Sequence, residues 1–180
     1  MNPIVDRTLR LAIICSVAAL LLGVINSMTA PLIEAHKLAT LQNALQELVV
    51  KGEAGEVEGL DSPVVPERYP IMDGGEVIGY ILSLRGNGYG GEMKLLASYE
   101  MDGTLLKAIL MDNNETPGLG KKAEKAEYMD KFLGKGEAGN PIPTSKGELE
   151  KPDAVGGSTI TFTGVSRALA AGSAYMREEM

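Results

Sequence analysis

The spacing of apolar and polar positions changes along this chain, and each change marks an element. From Leu11 to Ala30 no residue is charged and most are apolar, a run of about the 20 residues a membrane-spanning helix needs. Beyond Pro31, Leu38, Leu41, Leu45 and Leu48 recur at helical spacing, with Lys37, Gln42, Gln46 and Glu47 between them. That is an amphipathic helix leaving the membrane, continuous with the anchor despite Pro31. Lys51 to Asp61, rich in Gly and Glu, reads as a solvated connector.

The period then shortens to that of strands. Ile71-Met72 and Val77 to Leu82 flank Asp73-Gly74-Gly75, and Met93 to Tyr99 and Leu105 to Met111 flank Asp102-Gly103. Both are hairpin signals. Between them, Arg85-Gly86-Asn87-Gly88-Tyr89-Gly90-Gly91 reads as a connecting loop whose glycines allow a close approach. Lys121 to Phe132 predicts a short charged helix with Tyr128, Met129, Phe132 and Leu133 turned inward, and Gly134 to Pro152 an exposed loop. Val165, Leu169, Ala170, Ser173 and Met176 mark a last helix. The pattern therefore predicts an α+β fold, an antiparallel β-hairpin sheet with helices, plus one N-terminal transmembrane helix. Residues 1–34 form the anchor and residues 35–180 the second domain.

A cleaved signal peptide is the competing reading of the N-terminus. The run ends Asn26-Ser27-Met28-Thr29-Ala30-Pro31 without a clean Ala-x-Ala site, and it is long for a signal core, so a retained anchor is the better reading. Arg7 and Arg10 precede the span and place the N-terminus in the cytoplasm, against the weaker opposing vote of Lys37 and Lys51. Cys15, inside the span, is a small packing residue.

Composition removes several chemistries. A net charge of −7 and a pI near 4.8 argue against a nucleic-acid partner. Aromatic residues make up 4% and Trp is absent, so no base-stacking surface is expected. One Cys and one His, Cys15 and His36, cannot form an internal disulfide or hold an iron–sulfur cluster, and they are a poor start for zinc. His36 is also too close to the membrane to serve a hydrolytic triad. Any redox cofactor is therefore organic, or belongs to a partner.

Two further motifs carry candidate chemistry. Asn113-Asn114-Glu115-Thr116-Pro117-Gly118-Leu119-Gly120 is a turn-rich segment after a strand. Pro152-Asp153-Ala154-Val155-Gly156-Gly157-Ser158-Thr159-Ile160-Thr161 feeds the last helix with glycines and hydroxyls. Taken alone, that stretch reads either as a plain helix cap or as a phosphate site at a helix N-terminus. The Gly86 to Gly91 stretch is a weak phosphate cradle, because no strand–GxGxxG–helix unit surrounds it.

In this order, Gly88-Tyr89-Gly90-Gly91, Glu115 to Gly120 and Asp153 to Thr161 resemble the FMN-binding G subunits of the Rnf complex, the membrane-bound ferredoxin:NAD+ oxidoreductase. More broadly, the chain is similar to flavoproteins that include the C subunit of the sodium-pumping NADH:quinone oxidoreductase. The resemblance implies that a threonine hydroxyl is esterified to the FMN phosphate by a separate flavin transferase. The family pattern, Asp-x-x-Ser/Thr-Gly-Ala-Thr-x-Ser/Thr, lays Asp153, Gly157, Thr159 as acceptor and Thr161 on this chain. Gly156 stands where Ser or Thr is usual, and Ser158 where Ala is usual, so Ser158 and then Thr161 rank behind Thr159 as acceptors.

By the same resemblance, Glu115, Thr116, Gly118 and Leu119 line the isoalloxazine. Asn113 replaces an expected histidine, and Tyr89 is expected to pack in the core. The implied role is an extracytoplasmic electron relay between partner cofactors of other complex subunits, coupled to export of Na+ or H+. A sodium-pumping quinone reductase component and a membrane-anchored scaffold without flavin are the alternatives.

Overall fold

The computed structural model describes residues 3–149 and 158–179; Asp153, Gly156 and Gly157 lie outside them. The chain divides into two compact units, Met1–Asn43 and Ala44–Met180. A single helix of 46 residues, α1 (Pro3–Leu48), accounts for the first unit. It is long and apolar enough to cross a membrane. Leu20, Leu22 and Met28 are exposed along it, the arrangement of a helix whose apolar surface meets lipid. Pro31 removes one backbone donor without ending the helix. In the turn before it, the Ser27 and Thr29 hydroxyls donate to the carbonyls of Val24 and Ile25 at 2.8 and 2.9 Å.

The second unit is built on a six-stranded antiparallel sheet among the described residues. Its strands are β1 (Glu53–Ala54), β2 (Glu58–Gly59), β3 (Glu67–Asp73), β4 (Glu76–Gly88), β5 (Gly91–Glu100) and β6 (Leu105–Asp112). The order is β1-β3-β4-β5-β6, with β2 also pairing β3. The connector therefore contributes two short edge pairings. The first hairpin turns at Gly74 and Gly75, with φ of 60° and 91°, the left-handed pair a two-residue turn matched to strand twist requires.

The stretch Arg85 to Gly91 differs from its expected loop. β4 runs through it to Gly88, and Gly88 pairs with Gly91 across a two-residue turn. The glycines permit an extended strand to be crossed closely by a helix: a Cβ on Gly86 would stand 2.9 Å from the Gly164 carbonyl oxygen. Hydrophobic periodicity carries no signal where the packing partner is backbone.

The crossing element is α3 (Thr159–Glu179). Its Phe162, Val165, Ala168, Leu169 and Met176 are buried with Leu82, Leu84, Met93, Leu95, Ala97 and Tyr99 of the sheet in one core. The Tyr99 hydroxyl donates to the Leu169 carbonyl at 2.9 Å. Ser166 and Arg177 of α3 donate to the carbonyls of Pro143 and Gly136, which ties down the loop after residue 133. The expected helix over Lys121 to Phe132 is instead a 3-10 turn at Gly120–Glu124 and a one-turn helix, α2 (Ala126–Met129). Tyr128, Met129 and Phe132 are buried, as expected, but Leu133 is only partly so. Within the second unit, which begins at Ala44, Lys107 Nζ donates to the Glu47 carbonyl at 2.8 Å.

Burial raises the pKa of Tyr99, and burial followed by the nearby Glu115 charge raises that of Tyr128. Both favour the neutral phenol in the folded state. Their contribution to stability is complete below the free phenol value of about 10 and is lost as pH rises above it. In an alkaline absorbance titration, these two phenols should ionise only as the fold is lost. Tyr99→Phe and Tyr128→Phe should each remove part of that late step; a titration in which all six tyrosines ionise before unfolding would contradict this.

Candidate functional site

At the Gly88–Gly91 end of the sheet, the three motifs meet at one side chain. Glu115 is 3% exposed. Its Oε1 accepts from the Gly90 backbone N–H at 2.9 Å, and its Oε2 accepts from the Thr161 hydroxyl at 2.7 Å. A Cβ on either Gly88 or Gly120 would overlap this carboxylate, so both positions are glycine because the acid fills the space a side chain would take. The β4–β5 turn, the loop after β6 and the first turn of α3 are thereby joined from inside. Glu115 thus offers its carboxylate to the protein interior, while the exposed part of its loop is Thr116 to Leu119.

That loop has a simple local cause. Pro117 and Gly118 occupy the centre of a turn closed by the Leu119 N–H on the Thr116 carbonyl at 3.2 Å. Gly118 has φ of 78°, the left-handed geometry that follows proline in a type II turn. Leu119 is presented outward, 55% exposed. Upstream, Asn113 Oδ1 accepts from the Glu115 N–H at 3.0 Å, and its amide donates to Glu124 Oε1 at 2.9 Å. The Asn113 bond, then Lys121, lowers the Glu124 pKa. Asn113 therefore shapes the approach to Glu115 through its side-chain amide.

The three hydroxyls at the start of α3 differ in what they are free to do. Ser158, immediately before the helix, accepts from the Thr161 N–H at 3.4 Å and acts as its cap. Thr161 is 1% exposed and its hydroxyl is committed to Glu115. Thr159 is exposed, and its hydroxyl has no hydrogen bond among the described residues. Of the three, Thr159 is the most exposed.

Thr159 also lines a cleft of about 440 Å³ between α3 and the end of β4, within the size range of small-ligand sites. Its polar lining comes from Thr159, Thr163, Asn87, Arg85 and Arg167. The Gly88–Gly91 turn throws Tyr89 outward, 71% exposed, which corrects its expected place in the core. The turn backbone itself is packed, since a Cβ on Gly90 would overlap the Asn114 carbonyl.

The structure thus brings together Glu115, Ser158, Thr159 and Thr161 and sets Thr116, Gly118 and Leu119 on the exposed loop beside them. Asp153 and Gly157 lie outside the described residues. Sequence reasoning missed Thr163, Arg85 and Arg167. Thr159, Thr163 and Arg167 follow one another at four-residue spacing, a signal that could have revealed that face. An FMN phosphate fits the exposed Thr159 hydroxyl at a helix N-terminus, and the adjoining cleft has room and polar groups for more of the nucleotide.

This fold and site define a flavin-binding class: residues 88–173 match the FMN-binding domain model. The chain is 33% identical over 173 residues to the G subunit of the Na(+)-translocating ferredoxin:NAD(+) oxidoreductase complex of Acetobacterium woodii, covering 87% of this chain and 83% of that protein. It is 26% identical over 166 residues to the proton-translocating counterpart of Clostridium ljungdahlii, covering 92% and 88%. It is also 34% identical over 107 residues to the C subunit of the Na(+)-translocating NADH-quinone reductase of Vibrio alginolyticus, covering 54% and 42%. The chain belongs to the family of G subunits of ion-translocating ferredoxin:NAD+ oxidoreductase (Rnf) complexes. An FMN-binding domain in such a protein fits an electron relay.

Removing the Glu115 carboxylate leaves the buried Thr161 hydroxyl and the part-buried Gly90 N–H without their acceptor. Glu115→Ala should destabilise the protein by about 2–3 kcal/mol. Glu115→Gln, which keeps the shape and an acceptor, should cost less than half as much. Thermal unfolding of the detergent-solubilised chain measures both; equal losses would contradict the hydrogen-bonding role.

Proposed function

We propose that this chain is the FMN-carrying electron-transfer subunit of an ion-translocating ferredoxin:NAD+ oxidoreductase, with the FMN phosphate esterified to Thr159. The observation that carries the assignment is the division of labour among the three hydroxyls. Ser158 caps the helix, Thr161 serves Glu115, and Thr159 is exposed, its hydroxyl without a hydrogen bond among the described residues. The N-terminal turn of α3 directs backbone N–H groups and the positive end of its dipole toward a phosphate held there. Leu119 and Tyr89, exposed on the neighbouring turns, offer apolar surface to the isoalloxazine. Thr116 and Gly118 belong to the same loop, and Asp153 and Gly157 complete the attachment pattern in sequence. FMN in this position supplies one chemistry the side chains lack: it takes up electrons as a pair and releases them singly.

The remaining reading follows from the family and the anchor. A separate flavin transferase installs the cofactor, other subunits of the membrane complex supply and remove electrons, and α1 holds the domain at the membrane. Arg7 and Arg10 before the apolar span favour a cytoplasmic N-terminus and an extracytoplasmic FMN domain. A covalent link suits that side, where a dissociated FMN would be lost. The quinone reductase alternative has weaker support, because the chain covers only 42% of the Vibrio protein.

The test is the intact mass of the denatured protein after co-expression with the transferase, with peptide mapping. The expected result is a gain of one FMN less water on Thr159. It should be absent in Thr159→Ala and retained in Thr161→Val and Ser158→Ala, the latter at a cost of about 1 kcal/mol for the lost cap. An adduct on Ser158 or Thr161 in the wild type would contradict the acceptor assignment. An unmodified chain beside an active transferase would contradict covalent attachment.

A further inference from the structure

The cleft beside Thr159 has an unusual charge for this protein. The chain carries 24 acidic and 17 basic residues, yet among the described residues the cleft is lined by two arginines and no acid. Among the described residues, neither Arg85 nor Arg167 has an ion pair or a hydrogen bond through its guanidinium. Two exposed arginines that line one cleft, with no acidic partner among the described residues, offer an anion two opposite charges at once.

The positions suit a phosphate in particular. Thr159, Thr163 and Arg167 share one face of α3 at four-residue steps. Helical side chains lean toward the N-terminus, so Arg167 leans toward Thr159. Arg85 enters the cleft from β4, on the opposite wall. Guanidinium groups present paired donors whose geometry matches phosphate oxygens. Asn87 and Thr163 add further polar atoms to the lining, and the rest of the wall is small or apolar.

We infer that Arg85 and Arg167 form a clamp for the phosphate of the flavin nucleotide, holding its charge in the cleft beside Thr159. This rests on the FMN reading of the site, and it assigns the charge compensation to residues outside the recognised motifs. The clamp recognises the phosphate and leaves the isoalloxazine to other contacts. It therefore predicts discrimination between FMN and riboflavin even where no covalent bond forms.

The experiment is a fluorescence titration of the unmodified, detergent-solubilised full chain with FMN and, separately, with riboflavin. The wild type should bind FMN at least about tenfold more tightly, the size expected from one charge-assisted hydrogen bond. In Arg85→Gln/Arg167→Gln, FMN affinity should fall to the riboflavin value while riboflavin affinity is unchanged. Arg85→Lys/Arg167→Lys should keep part of the preference, since lysine retains charge without the paired donors. Wild type that does not distinguish the two flavins would overturn the clamp. So would a double Gln variant that keeps the preference, or one that loses both flavins equally.

Adduct mapping on the same proteins separates this from the covalent assignment. Modification of Thr159 with an unchanged FMN preference in the double Gln variant refutes the clamp alone. Loss of that preference in the double variant, with no adduct on Thr159 in the wild type, supports the clamp and refutes the covalent linkage.

Discussion

The buried carboxylate of Glu115 is the constraint on which the site depends. A buried acid is stable only when its oxygens are well supplied with donors. Here the donors come from two segments remote in sequence, the Gly90 N–H and the Thr161 hydroxyl. Satisfying one side chain therefore fixes the β4–β5 turn and the first turn of α3 relative to the loop that carries the acid. The glycines at 88 and 120 are consequences of the same requirement, since the carboxylate occupies the space of their missing side chains.

From that constraint follows the chemistry available at the surface. Thr161 cannot be both the donor that holds Glu115 and a free nucleophilic hydroxyl, and Ser158 is occupied as a cap. The helix start has three hydroxyls, two with structural duties, and the exposed third is Thr159. The cleft continuing from Thr159 along α3 gives that hydroxyl a bounded, cation-lined neighbourhood.

Much of this was legible in the sequence wherever side chains do the packing. The two hairpins announced themselves through Asp73-Gly74-Gly75 and Asp102-Gly103 flanked by apolar strands, and the last helix through its apolar spacing. The apolar run after Leu11 marked a helix long enough to span a bilayer. The extension of β4 to Gly88 was hidden, because its partners there are the backbone of α3 and the Glu115 carboxylate. The region after Gly120 reads as a helix by composition, yet it breaks into a 3-10 turn and a single helical turn. Motif resemblance singled out Glu115 but carried no signal for the direction in which it faces. An acid in a conspicuous loop reads as a ligand contact, and only the fold shows its two internal partners. Arg85 and Arg167 were silent for a different reason. They are 82 positions apart in sequence, and only the crossing of α3 over β4 brings them to one cleft.

Amide hydrogen exchange of the wild type and Glu115→Ala, compared segment by segment, tests the central claim most directly. If one carboxylate joins the three segments, its removal should lower protection together at Gly90, in the loop after Asn113 and at Thr161 in the first turn of α3. The Asp73–Glu76 hairpin should keep its protection. Loss confined to the loop around residue 115, with Gly90 and Thr161 unchanged, would contradict the account.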